Sequence, residues 1–138
     1  MNELFSIIQR VSDKGNSVAE YFMGLFCYYG SIISKDYNLA FQWFMKAAEQ
    51  GDLYGQNAIG GCYYNGDGVA ENKDKAFEWA MKAAEQGYAA AQCGIGHCYG
   101  FGQGVAENKD KAFEWTMKAA EQGYAKAQLI VGYWLGCC

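Results

Sequence analysis

The stretch "GVAENKDKAFEW" occupies residues 68–79 and returns unchanged at 104–115, 36 positions later. The likeness extends outward on both sides. Residues 67–87, "DGVAENKDKAFEWAMKAAEQG", differ from residues 103–123, "QGVAENKDKAFEWTMKAAEQG", at two positions, and residues 31–51, "SIISKDYNLAFQWFMKAAEQG", form a diverged copy. Aligning the chain on Gly15, Gly51, Gly87 and Gly123 lays even the opening "ELFSIIQRVSDKG" over "KAFEWTMKAAEQG". Self-similarity at a period of about 20–50 residues marks a stacked solenoid, in which each unit buries its apolar face only against its neighbours.

Two helical segments are expected in each unit. One, such as residues 73–86, is dense in Ala, Glu, Lys and Met, the strong helix formers, and stops at Gly87, where a left-handed C-cap costs little. Asp36, Asn72 and Asn108 stand at the N-cap positions of these segments. Glu78 with Lys82 and Glu114 with Lys118 are spaced for i,i+4 pairing, and Ala76, Phe77, Ala80, Ala83 and Ala84 form the inward stripe. The other segment, such as residues 88–99, carries Ala91, Ile95 and Tyr99 on one face beside Gly96. Gly24, Gly60, Gly96 and Gly132 recur once per unit inside these helices. A helical glycine costs about 1 kcal/mol relative to alanine, so its recurrence predicts close approach of a neighbouring helix. "GDGV" at 66–69 and "GQGV" at 102–105 supply paired glycines for positive φ, with Val69 or Val105 plugging the helix pair.

Composition narrows the function. The chain's 51% hydrophobic residues suffice for a core, and a net charge of −4 provides no basic footprint for a phosphate backbone, which argues against nucleic acid. The opening "MNELFSIIQR" lacks the basic start and apolar run of a signal peptide, and no stretch reads as a membrane span. A cytoplasmic chain is expected, with the six cysteines as free thiols.

These residues resemble the Sel-one-like repeat (SLR) family, helical-pair relatives of the tetratricopeptide repeat. The family's pattern appears as Ala91, Ile95-Gly96, Tyr99, Gly102-Gln103-Gly104-Val105, Lys111-Ala112, Trp115, Lys118-Ala119-Ala120 and Gln122-Gly123. The first unit departs from it, with Cys27 for the tyrosine, Ile32 for the second loop glycine and Leu39 for the lysine, so a different loop shape is expected there. The resemblance implies an all-α, right-handed α/α solenoid of stacked antiparallel helix pairs with a 36-residue period. It also implies an adaptor, scaffold or inhibitory partner that does no catalysis. The expected organisation is one domain over 1–138: a capping helix at 1–15, repeats at 16–51, 52–87 and 88–123, and a half repeat at 124–138. Some cysteine-rich members bridge each helix pair through two cysteines eight residues apart. Here those positions look like Ala84 and Gln92, or Ala120 and Gln128, so neither the staples nor that branch's ligand association carries over.

No catalytic constellation is expected, and a metal site is the weaker reading of its one candidate helix face. His97 is the only histidine and has no nucleophile at a useful spacing. Cys93 and His97 share a helix face and could supply two zinc ligands, but Cys98 points roughly 140° away at about 100° per residue, so buried thiols and a groove histidine are the plainer reading. Cys62 and Cys98 read as core, and stacked helices about 8–10 Å apart hold them beyond disulfide reach. Cys137-Cys138 resembles a prenylation tail without its basic approach and reads as two exposed thiols. The glycine loops lack the lysine of a phosphate-binding loop. No cofactor or metal is expected.

The first helix of each unit usually lines the concave surface of such a solenoid. The residues expected to bind a protein or peptide there are Tyr21, Leu25, Tyr28, Tyr54, Asn57, Tyr64, Cys93, His97, Phe101, Lys126, Leu129 and Tyr133. They vary between units whose second helices are nearly identical. The leading expectation is a non-catalytic interaction module. One alternative is a stoichiometric inhibitor or immunity protein of a toxin, and another is a thiol-based metal or redox sensor. At the C-terminus Leu129, Ile130, Val131, Trp134 and Leu135 exceed what one neighbouring helix can cover, which suggests a homodimer, the groove of another copy, or further repeats in a longer chain. At the N-terminus Leu4, Phe5, Ile7, Ile8 and Val11 are expected to face inward, making that helix the better cap.

Overall fold

Eight helices make up the described chain: α1 (Glu3–Asp13), α2 (Ser17–Tyr29), α3 (Tyr37–Glu49), α4 (Leu53–Asn65), α5 (Lys73–Glu85), α6 (Ala89–Phe101), α7 (Lys109–Glu121) and α8 (Ala125–Trp134). They come from a computed structural model that describes residues 3–136, so Cys137 and Cys138 lie outside the described residues. Consecutive helices pack as antiparallel pairs, α2 with α3, α4 with α5 and α6 with α7. Each pair then packs on the next through its second helix, giving an α/α solenoid.

The predicted caps are made. Asp36, Asn72 and Asn108 each accept from the backbone N–H three residues on, at 3.0 Å, satisfying a donor that the first helical turn leaves unpaired. The recurrent helical glycines have the expected packing role. A Cβ on Gly24 would overlap the Phe44 ring, one on Gly60 would stand 3.2 Å from the Ala76 carbonyl oxygen, and one on Gly96 would overlap Thr116 Oγ1. In the second and third units the two helices thus meet nearly backbone to backbone, and the partner faces are alanine: Ala76, Ala83, Ala112 and Ala119 are buried, as are Ala40 and Ala47 in the first. Gly68 and Gly104 combine positive φ, +73° and +72°, with contact on the carbonyls of Tyr37 and Lys73 in the preceding unit. In the first unit Ile32 takes the place of this glycine and does not enter the positive-φ region, so that loop departs from the other two.

Glutamines tie the ends of the helices. Gln86 Nε2 donates to the Gly51 carbonyl at 3.0 Å and to Gln56 Oε1 at 2.7 Å, and Gln122 repeats this with Gly87 and Gln92. At the staple positions of the cysteine-rich relatives, Gln92 donates to the Ala84 carbonyl and Gln128 to the Ala120 carbonyl, at 3.2 and 3.1 Å. Cys27, Cys62, Cys93 and Cys98 are buried free thiols.

Two expectations are corrected. On α1 only Phe5 and Ser12 are buried, while Leu4, Ile7 and Val11 are exposed. A second helix normally has a first helix on each side, whereas α1 packs chiefly on α2, and part of its apolar stripe, Leu4, Ile7 and Val11, is exposed. Lys82 and Lys118 lie 4.1 Å over the rings of Trp79 and Trp115, in place of the expected pairing with Glu78 and Glu114. At the other end the expected apolar excess is present: Leu129, Trp134 and Leu135 are exposed, and Val131 is buried.

Candidate protein-binding groove

The first helices α2, α4, α6 and α8 follow one another along one side of the stack, and a cavity opens between each successive pair. The three cavities measure about 220, 310 and 540 Å³ from the N-terminal end. All twelve residues read from the sequence line at least one of them. Tyr21, Leu25, Tyr28, Tyr54 and Asn57 wall the first, Asn57, Tyr64, Cys93, His97 and Lys126 the second, and Cys93, His97, Phe101, Leu129 and Tyr133 the third. Their accessibility differs widely. Tyr133 and Leu129 are more than three-quarters exposed, whereas Cys93 is 5% exposed and belongs to the bottom of the groove.

Sequence reasoning missed the floor. The second helix beneath each cavity contributes one equivalent residue: Phe44 in the first, Ala80 in the middle and Thr116 in the last. The phenyl ring fills its site and alanine leaves one open. The loop position two residues before Val69 and Val105 was missed too. Tyr28 Oη donates to Asp67 Oδ2 at 2.7 Å, and Tyr64 donates to Gln103 Oε1, so each tyrosine is held by the loop of the following unit. A signal for both features was present in the sequence. Asp67/Gln103 and Ala80/Thr116 are the two positions at which residues 67–87 and 103–123 differ.

Rings line the groove in contact. Tyr21 packs on Tyr54 and Tyr54 on Tyr88, at centroid separations of 5.7 and 5.2 Å, and His97 packs on Phe101 at 4.6 Å. Charge is graded along the groove. The hydrogen bond to Asp67, with burial and that carboxylate's charge behind it, pushes the Tyr28 hydroxyl far above its ordinary pKa. In the middle, Lys73 Nζ lies 3.4 Å over the Tyr64 ring and donates to the Tyr64 carbonyl at 2.9 Å. Burial, then the charges of Lys126 and Lys73, hold His97 below its ordinary pKa. Among the described residues neither the middle nor the last cavity has an acidic lining residue. Burial raises the pKa of all four described thiols, Cys62 to about 12, which keeps them protonated and unreactive at neutral pH. Among the described residues no group of three or more His, Cys, Asp or Glu side chains is placed to hold a metal ion.

The sequence profile of the Sel1 repeat matches residues 17–52, 53–88 and 89–124. No curated protein matches the sequence significantly. Among solved structures, a protective antigen of uropathogenic Escherichia coli displaying an SLR fold is similar at 36% identity and a TM-score of 0.88, over 91% of this chain and 27% of that one. A Sel1 repeat protein of Oxalobacter formigenes is similar at 34% identity and 0.89, over 95% and 54% respectively. The chain thus spans about a quarter and about half of these two relatives. Cysteine-rich protein B of Helicobacter pylori shares the fold at 23% identity and 0.72, over 94% and 98%. With three consecutive profile matches over most of its length and the helix pairs, loop glycines and period in place, the chain belongs to the Sel1 repeat family.

Proposed function

We propose that the groove along α2, α4, α6 and α8 binds an extended segment of another protein, with an apolar side chain in the middle cavity and an acidic residue beside it. Sel1 repeat proteins are generally protein–protein interaction modules, which supplies the class. The observation that carries the finer reading is the placement of the two differences between the copied segments. A duplicated helix held only by packing can vary anywhere on its solvent face. Here the changes fall at the floor of the groove, Ala80/Thr116, and at the loop residue that holds a groove tyrosine, Asp67/Gln103. Lys126 lines the middle cavity and supplies positive charge there in a chain whose net charge is −4, while Lys73 nearby is paired with Glu71 at 3.2 Å, so on this reading the cavity selects by charge as well as shape. The binding is non-catalytic.

Panning a displayed random-peptide library tests this. Wild type should enrich peptides with an aliphatic or aromatic anchor next to Asp or Glu, and Ala80→Phe should weaken the selected peptides at least about tenfold by filling the cavity. Phe44 already occupies the equivalent site against Gly24, so the phenyl ring has a precedent in this fold. Selected peptides that bind Ala80→Phe as tightly as wild type, or show no preference for acid, would remove the reading.

A further inference from the structure

The two ends of the stack are complementary in kind. α8 is the first helix of a unit, and no second helix covers its outer side among the described residues. α1 stands in the second-helix position, and among the described residues no first helix precedes it. Its register follows from the glycine after it: Gly15 has φ +84°, and Gly51, Gly87 and Gly123, which follow α3, α5 and α7, have +89°, +92° and +87°.

That register assigns a partner to each position of α1. In the full units Ala47, Ala83 and Ala119, each on a helix with a first helix on either side, are wholly buried: Ala47 lies against Gly55 of the following first helix, and Ala119 clusters with Cys93 of its own and Ala127 of the next. Val11 stands at the same position on α1 and is 37% exposed, beside Ile7 at 42%. Ile8 takes the place of Phe44, Ala80 and Thr116, the residues that meet Gly24, Gly60 and Gly96. α8 carries Gly132 in register with those three glycines. Lys14 stands where Gln50, Gln86 and Gln122 donate to Glu20, Gln56 and Gln92, and the matching acceptor on α8 is Gln128. A solenoid end exposed to water is expected to carry polar residues, whereas these ends are apolar.

We propose that copies of this chain stack head to tail, with α1 of one copy docking on α8 of another as the missing second helix of its unit. The junction is a fourth instance of an interface that the chain makes three times internally, between α2 and α3, α4 and α5, and α6 and α7. Leu4, Ile8 and Val11 are bulkier than most of their equivalents, so the two helices sit farther apart than within a unit, as Phe44 already requires opposite Gly24. The contact is heterologous, so it generates open chains or closed rings and not a two-fold dimer.

Sedimentation of the whole chain under reducing conditions tests this, with two single variants, Val11→Glu on α1 and Gly132→Glu on α8. Replacing glycine with glutamate favours helix, so lost assembly in the second cannot be ascribed to a melted α8. Wild type should exceed its 15.3 kDa monomer mass as concentration rises, and each variant alone should remain monomeric. An equimolar mixture of the two should double in mass and stop there, because each variant keeps one intact end. Circular dichroism checks folding; if Val11→Glu loses helicity, Ile7→Glu on the same exposed face replaces it. A wild type that stays monomeric up to its solubility limit overturns the proposal, as does a Val11→Glu variant that still self-associates or a mixture that does not pair.

Discussion

The helices α4 and α6 hold equivalent places in successive units, as do α5 and α7, yet the two pairs have diverged very differently. Over their thirteen positions α5 and α7 differ once, at Ala80/Thr116. α4 and α6 agree only at Gln56/Gln92, Ile59/Ile95, Gly60/Gly96, Cys62/Cys98 and Tyr63/Tyr99. Those shared residues are buried, apart from the half-buried Tyr99, and form the packing face. The positions that changed include the groove pairs Tyr54/Ala90, Asn57/Cys93, Gly61/His97 and Asn65/Phe101. Packing therefore fixes about one face of each first helix and leaves the other free to carry a surface particular to its unit.

The sharpest way to break this comparison is at the floor. A Cβ on Gly96 overlaps Thr116 Oγ1, whereas one on Gly60 finds nothing nearer than the Ala76 carbonyl oxygen at 3.2 Å. Gly96→Ala should cost about 2 kcal/mol, and Gly60→Ala should stay within about 1 kcal/mol of wild type because the gain in helix propensity offsets the crowding. Adding Thr116→Ala to Gly96→Ala should restore part of the loss, since the Ala112 carbonyl oxygen stays 3.0 Å from the new Cβ, measured by denaturant midpoints. Equal costs for the two glycines would show that the units pack alike despite their different floors.

A smaller effect makes the first unit resemble the others. Glu20 is buried where the second and third units have Gln56 and Gln92, and it accepts from Gln50 Nε2 at 2.8 Å. Burial raises its pKa against the opposing pull of Gln50 and Lys46. A raised carboxyl pKa means that the ionised form weakens the folded state. The penalty is fully present above the folded-state pKa and fades as pH falls towards the unfolded value. Glu20→Gln should therefore stabilise by up to about 1 kcal/mol at pH 7 and by progressively less on acidification, read from thermal melts across that range.

The smallest effect concerns the groove charge. His97 is the only histidine, so one imidazole resonance reports it. Its NMR titration midpoint should lie below the ordinary histidine value, and Lys126→Gln should move it back up by a fraction of a pH unit. No change in the midpoint would mean that Lys126 is too well solvated to act on the cavity.

Much of the fold was legible because the 36-residue period, the Asn and Asp caps and the helical glycines each fix a local geometry with little dependence on the rest of the chain. The groove walls followed from subtracting the packing face. The floor did not, since residue 80 or 116 reads as one more member of the inward stripe until the separation of the helices above it is known. Nor did the loop contacts of Asp67 and Gln103, which join residues 39 positions apart. α1 was misread for a related reason. Its apolar stripe has two sides, and sequence periodicity does not tell how many neighbours a helix has.

The sameness of residues 68–79 and 104–115 also bears on ancestry. A chain cut at any letter of one copy and rejoined at the same letter of the other loses 36 residues and acquires no new seam, since every loop and cap at the join is already in use. The shortened product would set the walls of α4 over the floor of α7, placing Gly60 opposite Thr116. Crossovers of this kind would reassort walls and floors as whole pieces, so that new surfaces arise by recombination without first passing through a broken fold.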